Sequence, residues 1–378
     1  MKVKQLSGVS KPQELLKKLG VDGGGIQILS SKMKHHIIYI SDLHVGGANI
    51  LKQDALSIGA DLAVPRGTVL ATTKTVDCIL IATEKELKIL SKKELLQPFG
   101  LKELAYRLKD ILAIKREKTT EIMGIINAND DSFFNGSRFQ GISAINKIES
   151  MLDEGADIID IGAVSSRPNA PKVSAMDELS RVKPILDEIK KNSLYKEKKF
   201  SIDSYEPQVI EYALDSGFTI VNDITGFQND TISKLTAKYD ATAIIMHMQG
   251  TPQTMQNSPK YQDIVTDIYS FLENSISRVE SFGVKDIVVD VGIGFGKTLE
   301  HNIDLIKNLE NFLRLEKRVL VGASRKSMID AITPTQTEDR LAGTLAIHLE
   351  AVRNGASILR VHDVKEHFQA LRVYEALK

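Results

Sequence analysis

The sequence predicts an α/β fold, a (β/α)8 (TIM) barrel preceded by a small N-terminal α/β domain. From residue 121 onward, short β-branched runs alternate with amphipathic helical stretches, a pattern that builds a parallel sheet with right-handed crossovers. Each run ends in an acid, an amide or a base, and a barrel of this kind carries its active site at that face. The stretch is about 260 residues long, close to the roughly 250 typical of the fold, whereas residues 1–115 do not share its rhythm.

The expected strands run in order. They are Ile122–Ile126 ending at Asn127, Ala156–Ile159 ending at Asp160, Phe200–Ile202 ending at Asp203, and Phe218–Val221 ending at Asn222 and Asp223. Ala243–Met246 leads to His247, Ile287–Val289 to Asp290, Val319–Val321 to Ser324, Arg325 and Lys326, and Ile358–Val361 carries Arg360 and leads to His362. Between them, Ile142–Leu152 places Ile142, Ile145, Ile148 and Leu152 on one helical face. Asp177–Lys191, Pro207–Leu214, Ile232–Lys238, Ile264–Val279, Asn302–Leu313, Asp339–Val352 and Val364–Leu377 fill the other intervals. The loops Ala128–Arg138 and Ala163–Lys172 are long and polar, as active-face lids are.

In residues 1–115, Pro12–Leu19 reads as a helix stopped by Gly20 and the Gly23–Gly25 run. Ile26–Leu29, Ile37–Ile40, Val69–Ala71 and Cys78–Ala82 read as strands, and Glu84–Leu96 and Leu101–Leu112 as helices. The barrel domain is then 116–378. The N-terminal domain has no legible chemistry and is expected to serve packing or assembly, not a second enzymatic activity.

Across 378 residues, 49 Lys plus Arg balance 49 Asp plus Glu. That balance argues against a protein-wide nucleic-acid or membrane surface. The single Cys78 rules out an internal disulfide and a cysteine metal cluster within one chain. With no long apolar run and no signal-like start, the expectation is a soluble, cytoplasmic protein. Two local patterns mislead. Asp42-Leu-His44 resembles the opening of a two-metal phosphoesterase site, but no further ligand motif follows it. Gly292-Ile-Gly-Phe-Gly296-Lys297-Thr298 falls one residue short of phosphate-loop spacing, because Val291 stands where glycine is required. Its glycines suit a tight turn or a close backbone approach.

Asp160, Asp203, Asp290, Asn127 and Asn222 would converge on one barrel mouth. Carboxylates and amides there suit a heterocycle rich in N–H donors. Arg360 and His362, in period two, face the same way and, with Ser324-Arg325-Lys326-Ser327, form a basic half at the usual phosphate side of the fold. Ser165, Ser166 and Arg167 add donors, and such a set suits an anionic leaving group.

At these residues the chain resembles the dihydropteroate synthase family. The motifs that carry the resemblance are Met123-Gly-Ile-Ile-Asn127 through Phe133, Gly155-Ala-Asp-Ile-Ile-Asp160 through Pro168, Ser201-Ile-Asp203, Val221-Asn222-Asp223, Asp290 through Lys297, Gly322 through Ser327, and Arg360 through Asp363. The resemblance implies condensation of 6-hydroxymethyl-7,8-dihydropterin diphosphate with 4-aminobenzoate. It implies a pterin site of Asp203, Asn222, Met246, Asp290 and Lys326, and a pyrophosphate site of Asn127, Ser166, Arg360 and His362. It implies an aminobenzoate site of Arg167, Pro168, Phe295 and Ser327, catalytic roles for Lys326, Arg360, His362 and Asp203, Mg2+ at Asn127, and a homodimer. The first loop departs from the family pattern: Asn129 and Asp130 replace a Thr-Pro pair, and Asn135 replaces an acid. Two rival readings share the barrel: a pterin-binding methyltransferase, which needs no pyrophosphate clamp, and a non-catalytic scaffold.

Overall fold

The structure, a computed structural model, describes residues 1, 3, 4, 6, 11–128, 137–164 and 173–377, with only the backbone described for 137–142. The chain divides into two compact units, Met1–Ile114 and Lys115–Lys378.

The first unit contains α1 (Pro12–Lys18), α2 (Gly23–Lys32), β1 (His35–His44), α3 (Val45–Leu56), β2 (Asp61–Ala63), β3 (Thr75–Thr83), α4 (Glu84–Lys93) and α5 (Leu101–Ala113). Its sheet is antiparallel in the order β1-β3-β2. Leu51, Leu80, Leu87, Leu90, Leu101 and Leu108 are buried together as its core. Thr83 caps α4, and Glu86 returns a hydrogen bond to the Thr83 N–H, which fixes the turn out of β3.

Two expected strands here are corrected. Ile26–Leu29 lies inside α2, whose first turn is Gly23–Gly25; a four-residue apolar run fits either element, and glycines read as a stop can open a helix. Val69–Ala71 is instead a 3-10 turn, Thr68–Leu70, held between Gly67 and Ala71, both left-handed. The sequence reading also passed over α3, because Gly46 and Gly47 at its start mask a helical pattern. Asp42 and His44 of the metal-like motif act locally. The His44 ring accepts the Gly46 N–H at 3.1 Å, caps α3 and stacks on Phe99.

The second unit is a closed parallel barrel of β4 (Glu121–Asn127), β5 (Ile158–Gly162), β6 (Lys199–Asp203), β7 (Ile220–Asp223), β8 (Thr242–Met246), β9 (Ile287–Asp290), β10 (Arg318–Val321) and β11 (Ile358–Val361). The described helices α6 (Ser137–Asp153), α7 (Ala175–Lys191), α8 (Pro207–Asp215), α9 (Asp230–Lys238), α10 (Ile264–Ser281), α11 (Leu299–Lys307), α12 (Ser327–Ile332), α13 (Leu341–Arg353) and α14 (Val364–Leu377) connect the strands. The expected helix Asn302–Leu313 is broken after Lys307, and a 3-10 segment, Leu309–Leu315, follows it.

One level of the barrel interior is an apolar layer of Met123, Ile158, Ile220, Ile244, Val288, Leu320 and Ile358. Side chains alternate across a strand, so the next inward positions lie two residues on. Those positions are Ile125, Asp160, Asn222, Met246, Asp290, Gly322 and Arg360. The apolar layer is the floor on which the polar residues stand.

Candidate active site

Arg360 lies across the mouth rather than on a separate basic half. Its Nε donates to Asp160 Oδ2 at 2.6 Å and its Nη2 to Asp203 Oδ2 at 2.6 Å. Asn222 Nδ2 donates to the same Asp160 oxygen at 3.2 Å. The division into an acidic and a basic half is therefore corrected. A half-buried guanidinium takes the nearest carboxylates, and its planar fork reaches two at once. Burial opposes the Arg360 charge, but Asp160 and Asp203 outweigh it and hold the group above its ordinary value. Burial pushes the Asp203 carboxyl up to about 7, against the pull of Arg360 and with Asp160 adding to the rise. Asp160 Oδ1 is buried and has no hydrogen-bond partner among the described residues. Asp160 acts as the counter-ion of Arg360, a role the sequence motifs did not single out; its position two residues beyond the floor was the signal.

Asp290 ends β9 beside Met246, its register partner on β8. The Gly292 N–H donates to Asp290 Oδ1 at 2.7 Å. Burial raises the Asp290 carboxyl, opposed by that N–H and by Lys326, Lys297 and Arg360. A side chain at Gly292 is impossible without movement, since a Cβ there would stand 1.9 Å from the His247 carbonyl oxygen, and its φ is +69°. The glycine-rich loop thus makes a close backbone approach, not a phosphate cradle. Lys326 crosses Gly294 and places its ammonium 4.1 Å from the Phe295 ring centroid. Phe295 and Met246 pack with Ile224, Met255, Tyr205 and Met248 as an apolar wall beside these acids. The sequence reading missed Met248, Met255, Ile224 and Tyr205; the three methionines between 246 and 255 were the available signal.

Behind this wall Lys297, 3% exposed, donates to the Phe295 carbonyl at 2.9 Å and the His247 carbonyl at 3.3 Å, and lies 3.0 Å from His247 Nδ1. Burial brings its amine down to about 7, with Asp290 opposing. Burial and Lys297 together push the His247 ring down to about 3, so it is a neutral acceptor. The pair ties the loop after β8 to the loop after β9.

The turns after β10 and β11 are joined by a Ser324 Oγ–His362 Nδ1 contact of 3.0 Å, and Arg325 donates to Asp363 at 2.5 and 3.1 Å. Arg325 therefore stabilises the turn instead of standing ready as a ligand. Burial, then Arg360 and Arg325, push the His362 ring down to about 4. His362 is neutral near pH 7, which corrects its place among the cations; it offers a hydrogen bond, not a charge. Ser327 opens α12 and is exposed.

Asn127 ends β4, half-buried. Among the described residues no cluster of three His, Cys, Asp or Glu side chains could cage a metal. Mg2+ bound to substrate phosphates needs only one or two protein oxygens, and the Asn127 amide fits that lesser demand. Ser166, Arg167 and Pro168 lie outside the described residues, as do Asn129, Asp130 and Asn135.

Comparison with known proteins separates the readings. The pterin-binding enzyme family matches residues 123–362. The dihydropteroate synthase of Haemophilus influenzae is 40% identical over 259 residues, 68% of this chain and 93% of its own length. The chain belongs to the dihydropteroate synthase family. The bifunctional dihydropteroate synthase/dihydropteroate reductase of Helicobacter pylori is 41% identical over 363 residues, 96% of each protein, so that match reaches into the N-terminal unit. The synthase of Thermus thermophilus, solved in complex with 4-aminobenzoate, superposes with a TM-score of 0.62 at 37% identity, covering 69% of this chain and 95% of its own. The family match falls within the second unit, whereas the Helicobacter pylori match extends into the first.

Proposed function

We propose that this chain is a transferase of folate synthesis that joins 6-hydroxymethyl-7,8-dihydropterin diphosphate to 4-aminobenzoate, releasing pyrophosphate and 7,8-dihydropteroate. The observation that carries this reading is the ring of Asp203, Asn222, Asp290 and Arg360 on the barrel floor, in a chain 40% identical to a dihydropteroate synthase over the length of a barrel. Asp203, Asn222 and Asp290 accept from and donate to the pterin edge, Met246 lines its face, and Lys326 holds its far polar edge. Arg360, His362, Asn127 and Ser166 hold the diphosphate; Phe295, Ser327, Arg167 and Pro168 border the aminobenzoate.

The step we favour is SN1-like. The C–O bond to the diphosphate breaks first, and the ring nitrogens share the resulting positive charge. Carboxylates hydrogen-bonded to those nitrogens stabilise that charge as it develops. Arg360 already sits between Asp160 and Asp203, so it can turn toward an arriving phosphate while the acids turn toward the ring. The amine then forms the C–N bond and loses its proton to solvent or to the departing pyrophosphate. Mg2+, when bound with the substrate at Asn127, would neutralise charge on the leaving group. An aromatic amine is nucleophilic at neutral pH, which accords with a site built without a nucleophile and base pair.

The decisive assay follows pyrophosphate release with and without 4-aminobenzoate. Release that depends on both substrates supports the reading. Tight binding of a methylated tetrahydrofolate with no pyrophosphate release would instead favour the methyltransferase. A homodimer fits Phe368, Val373 and Leu377, apolar and exposed on α14, and light scattering tests it. No described helix is long and apolar enough to cross a membrane. A free, buried Cys78 accords with a reducing, cytoplasmic compartment.

A second activity has one specific observation in its favour. The Helicobacter pylori relative, whose name includes dihydropteroate reductase, matches 96% of this chain, whereas the Haemophilus influenzae synthase matches 68%. We propose that the N-terminal unit serves a reduction of dihydropteroate to tetrahydropteroate, in place of a purely packing role. The step delivers a hydride and a proton across a ring C=N bond and requires an external two-electron donor. Incubating the protein with dihydropteroate and reduced nicotinamide or reduced flavin tests it, and no product with either donor would count against it.

A further inference from the structure

Two histidines unused by the chemistry above lie buried between the turns after β10 and β11. His348, on α13, is 0% exposed, and His367, in the first turn of α14, is 1% exposed. The Ala323 N–H lies 3.0 Å from His348 Nε2. His348 Nδ1 lies 2.8 Å from His367 Nε2, and His367 Nδ1 lies 2.6 Å from the Asp363 carbonyl oxygen.

The two ends decide what lies between. A peptide N–H can only donate and a carbonyl can only accept. His348 Nε2 is therefore bare, and its ring hydrogen sits on Nδ1. That hydrogen is donated to His367 Nε2, which leaves the His367 hydrogen on Nδ1 for the Asp363 carbonyl. One neutral tautomer of each ring satisfies all three contacts. A proton added to either ring would set two N–H groups face to face. Burial, and then His367, depress the His348 pKa well below its ordinary value; burial depresses that of His367, with Asp363 opposing.

Ala323 directly precedes Ser324, Arg325 and Lys326, and Asp363 directly follows His362. The histidine bridge thus joins the same two turns as the Ser324–His362 and Arg325–Asp363 contacts. A phosphate arriving at the mouth competes for Ser324 and His362. It does not reach the bridge, whose Ala323, His348 and His367 have almost no exposed surface.

We propose that His348 and His367 are positioning residues that lock the turn after β10 to the turn after β11, presetting Ser324 against Arg360 and His362 for the diphosphate. The inference rests on the reading that these two turns hold the diphosphate.

The test measures kcat, the KM of each substrate, and titration of inorganic pyrophosphate with Mg2+, on the full chain. His348→Leu should raise the KM for the pterin diphosphate about five- to tenfold, the worth of one or two lost hydrogen bonds. The KM for 4-aminobenzoate should stay within about twofold, a split that general loosening would not produce. His348→Gln restores an acceptor toward Ala323 and should recover most of the loss. His348→Leu with His367→Leu should be no worse than either alone, because the chain of bonds is cut once in each. If His348→Leu does not fold, His367→Gln reads the same quantity, since it loses the donor to the Asp363 carbonyl and should raise that KM about threefold or more. A folded variant whose diphosphate KM and pyrophosphate affinity match wild type overturns the proposal, as do additive effects. His362→Ala and Arg360→Ala test the site itself. If they bind pyrophosphate normally, the site is misassigned; if they lose it while the histidine variants keep it, only the bridge fails.

Discussion

Arg360 Nε lies 2.6 Å from Asp160 Oδ2, and the Asp160 side chain is fully buried while that of Arg360 is 22% exposed. The contact does two things at once. It balances the charge of a carboxylate that has almost no access to water, and it holds the guanidinium in the mouth. Removing the arginine should therefore cost stability and activity together. Arg360→Ala leaves an uncompensated buried charge, worth about 3–5 kcal/mol of stability. It should also lower kcat/KM by about 2–4 kcal/mol, measured as pyrophosphate release. Adding Asp160→Asn to Arg360→Ala should return part of the stability, read in urea, and none of the activity. If Arg360→Ala left kcat/KM within about threefold of wild type, its place in the site would be wrong.

Asp290→Asn separates charge from shape. Asparagine keeps an oxygen for the Gly292 N–H at the position where Asp290 Oδ1 accepts at 2.7 Å. The loop should hold its form and the urea midpoint should move little. Steady-state kinetics should show kcat/KM falling by about 2–4 kcal/mol, the usual size of one lost charged contact at a transition state. Unchanged kinetics would remove Asp290 from the pterin site.

Much of this was legible from the chain, and the reason is geometric. Asp160, Asn222, Asp290 and Arg360 sit at β-strand ends whose short apolar runs leave little freedom in register, so their inward direction follows from period two. What could not be read was pairing across the barrel. Asp160 and Arg360 are 200 residues apart, and nothing local distinguishes an arginine waiting for phosphate from one already bound to a carboxylate. The neutrality of His362 was hidden for the same reason, since burial and two arginines decide it. In the N-terminal unit, the Ile26–Leu29 run was too short for its period to separate a strand from a helix.

Gly292→Ala should be unusually costly. Its φ of +69° disfavours any Cβ, and the added atom would meet the His247 carbonyl oxygen at 1.9 Å. Strain of this kind costs about 1–3 kcal/mol before the carbonyl is moved, and moving it disturbs Lys297 and the Asp290 loop. Gly100→Ala is the control. Its φ is +83° but nothing lies within 4 Å of the added Cβ, so only the backbone preference is lost. Urea titrations should therefore rank Gly292→Ala clearly below Gly100→Ala, and equal losses would mean the close approach carries no energy.

The buried histidines should cost the barrel stability as acid is added. His247, His348, His362 and His367 are all buried with depressed pKa values, burial being the first cause in each. The sign follows from linkage. Below the unfolded value of 6.5 the unfolded chain takes up protons that the folded chain refuses, so stability present above 6.5 is lost as pH falls. The loss continues to about 4 for His362 and about 3 for His247. Lys297, brought down to about 7, adds to the loss on acidification above 7, and Asp203, raised by burial, opposes the loss below it. The histidine share is therefore read by difference: between pH 8 and pH 5 the wild-type denaturation midpoint should fall more, or rise less, below about 6.5 than that of His348→Leu. Identical pH slopes for wild type and the variant would contradict a neutral buried ring at His348.

Removing residues 1–114 should separate the two proposed activities. The barrel unit, Lys115–Lys378, closes its own sheet and has its own apolar floor. A synthase from Haemophilus influenzae matches this chain over 259 residues, which cover 93% of that protein, so a barrel of that length suffices in nature. The truncated chain should therefore keep aminobenzoate-dependent pyrophosphate release within about tenfold of the full chain, about 1.4 kcal/mol at the transition state. Any reduction of dihydropteroate by the full chain should disappear with the N-terminal unit. A soluble, folded barrel with no synthase turnover would show that the first unit completes the site, and a barrel that still reduces dihydropteroate would place that chemistry in the barrel mouth.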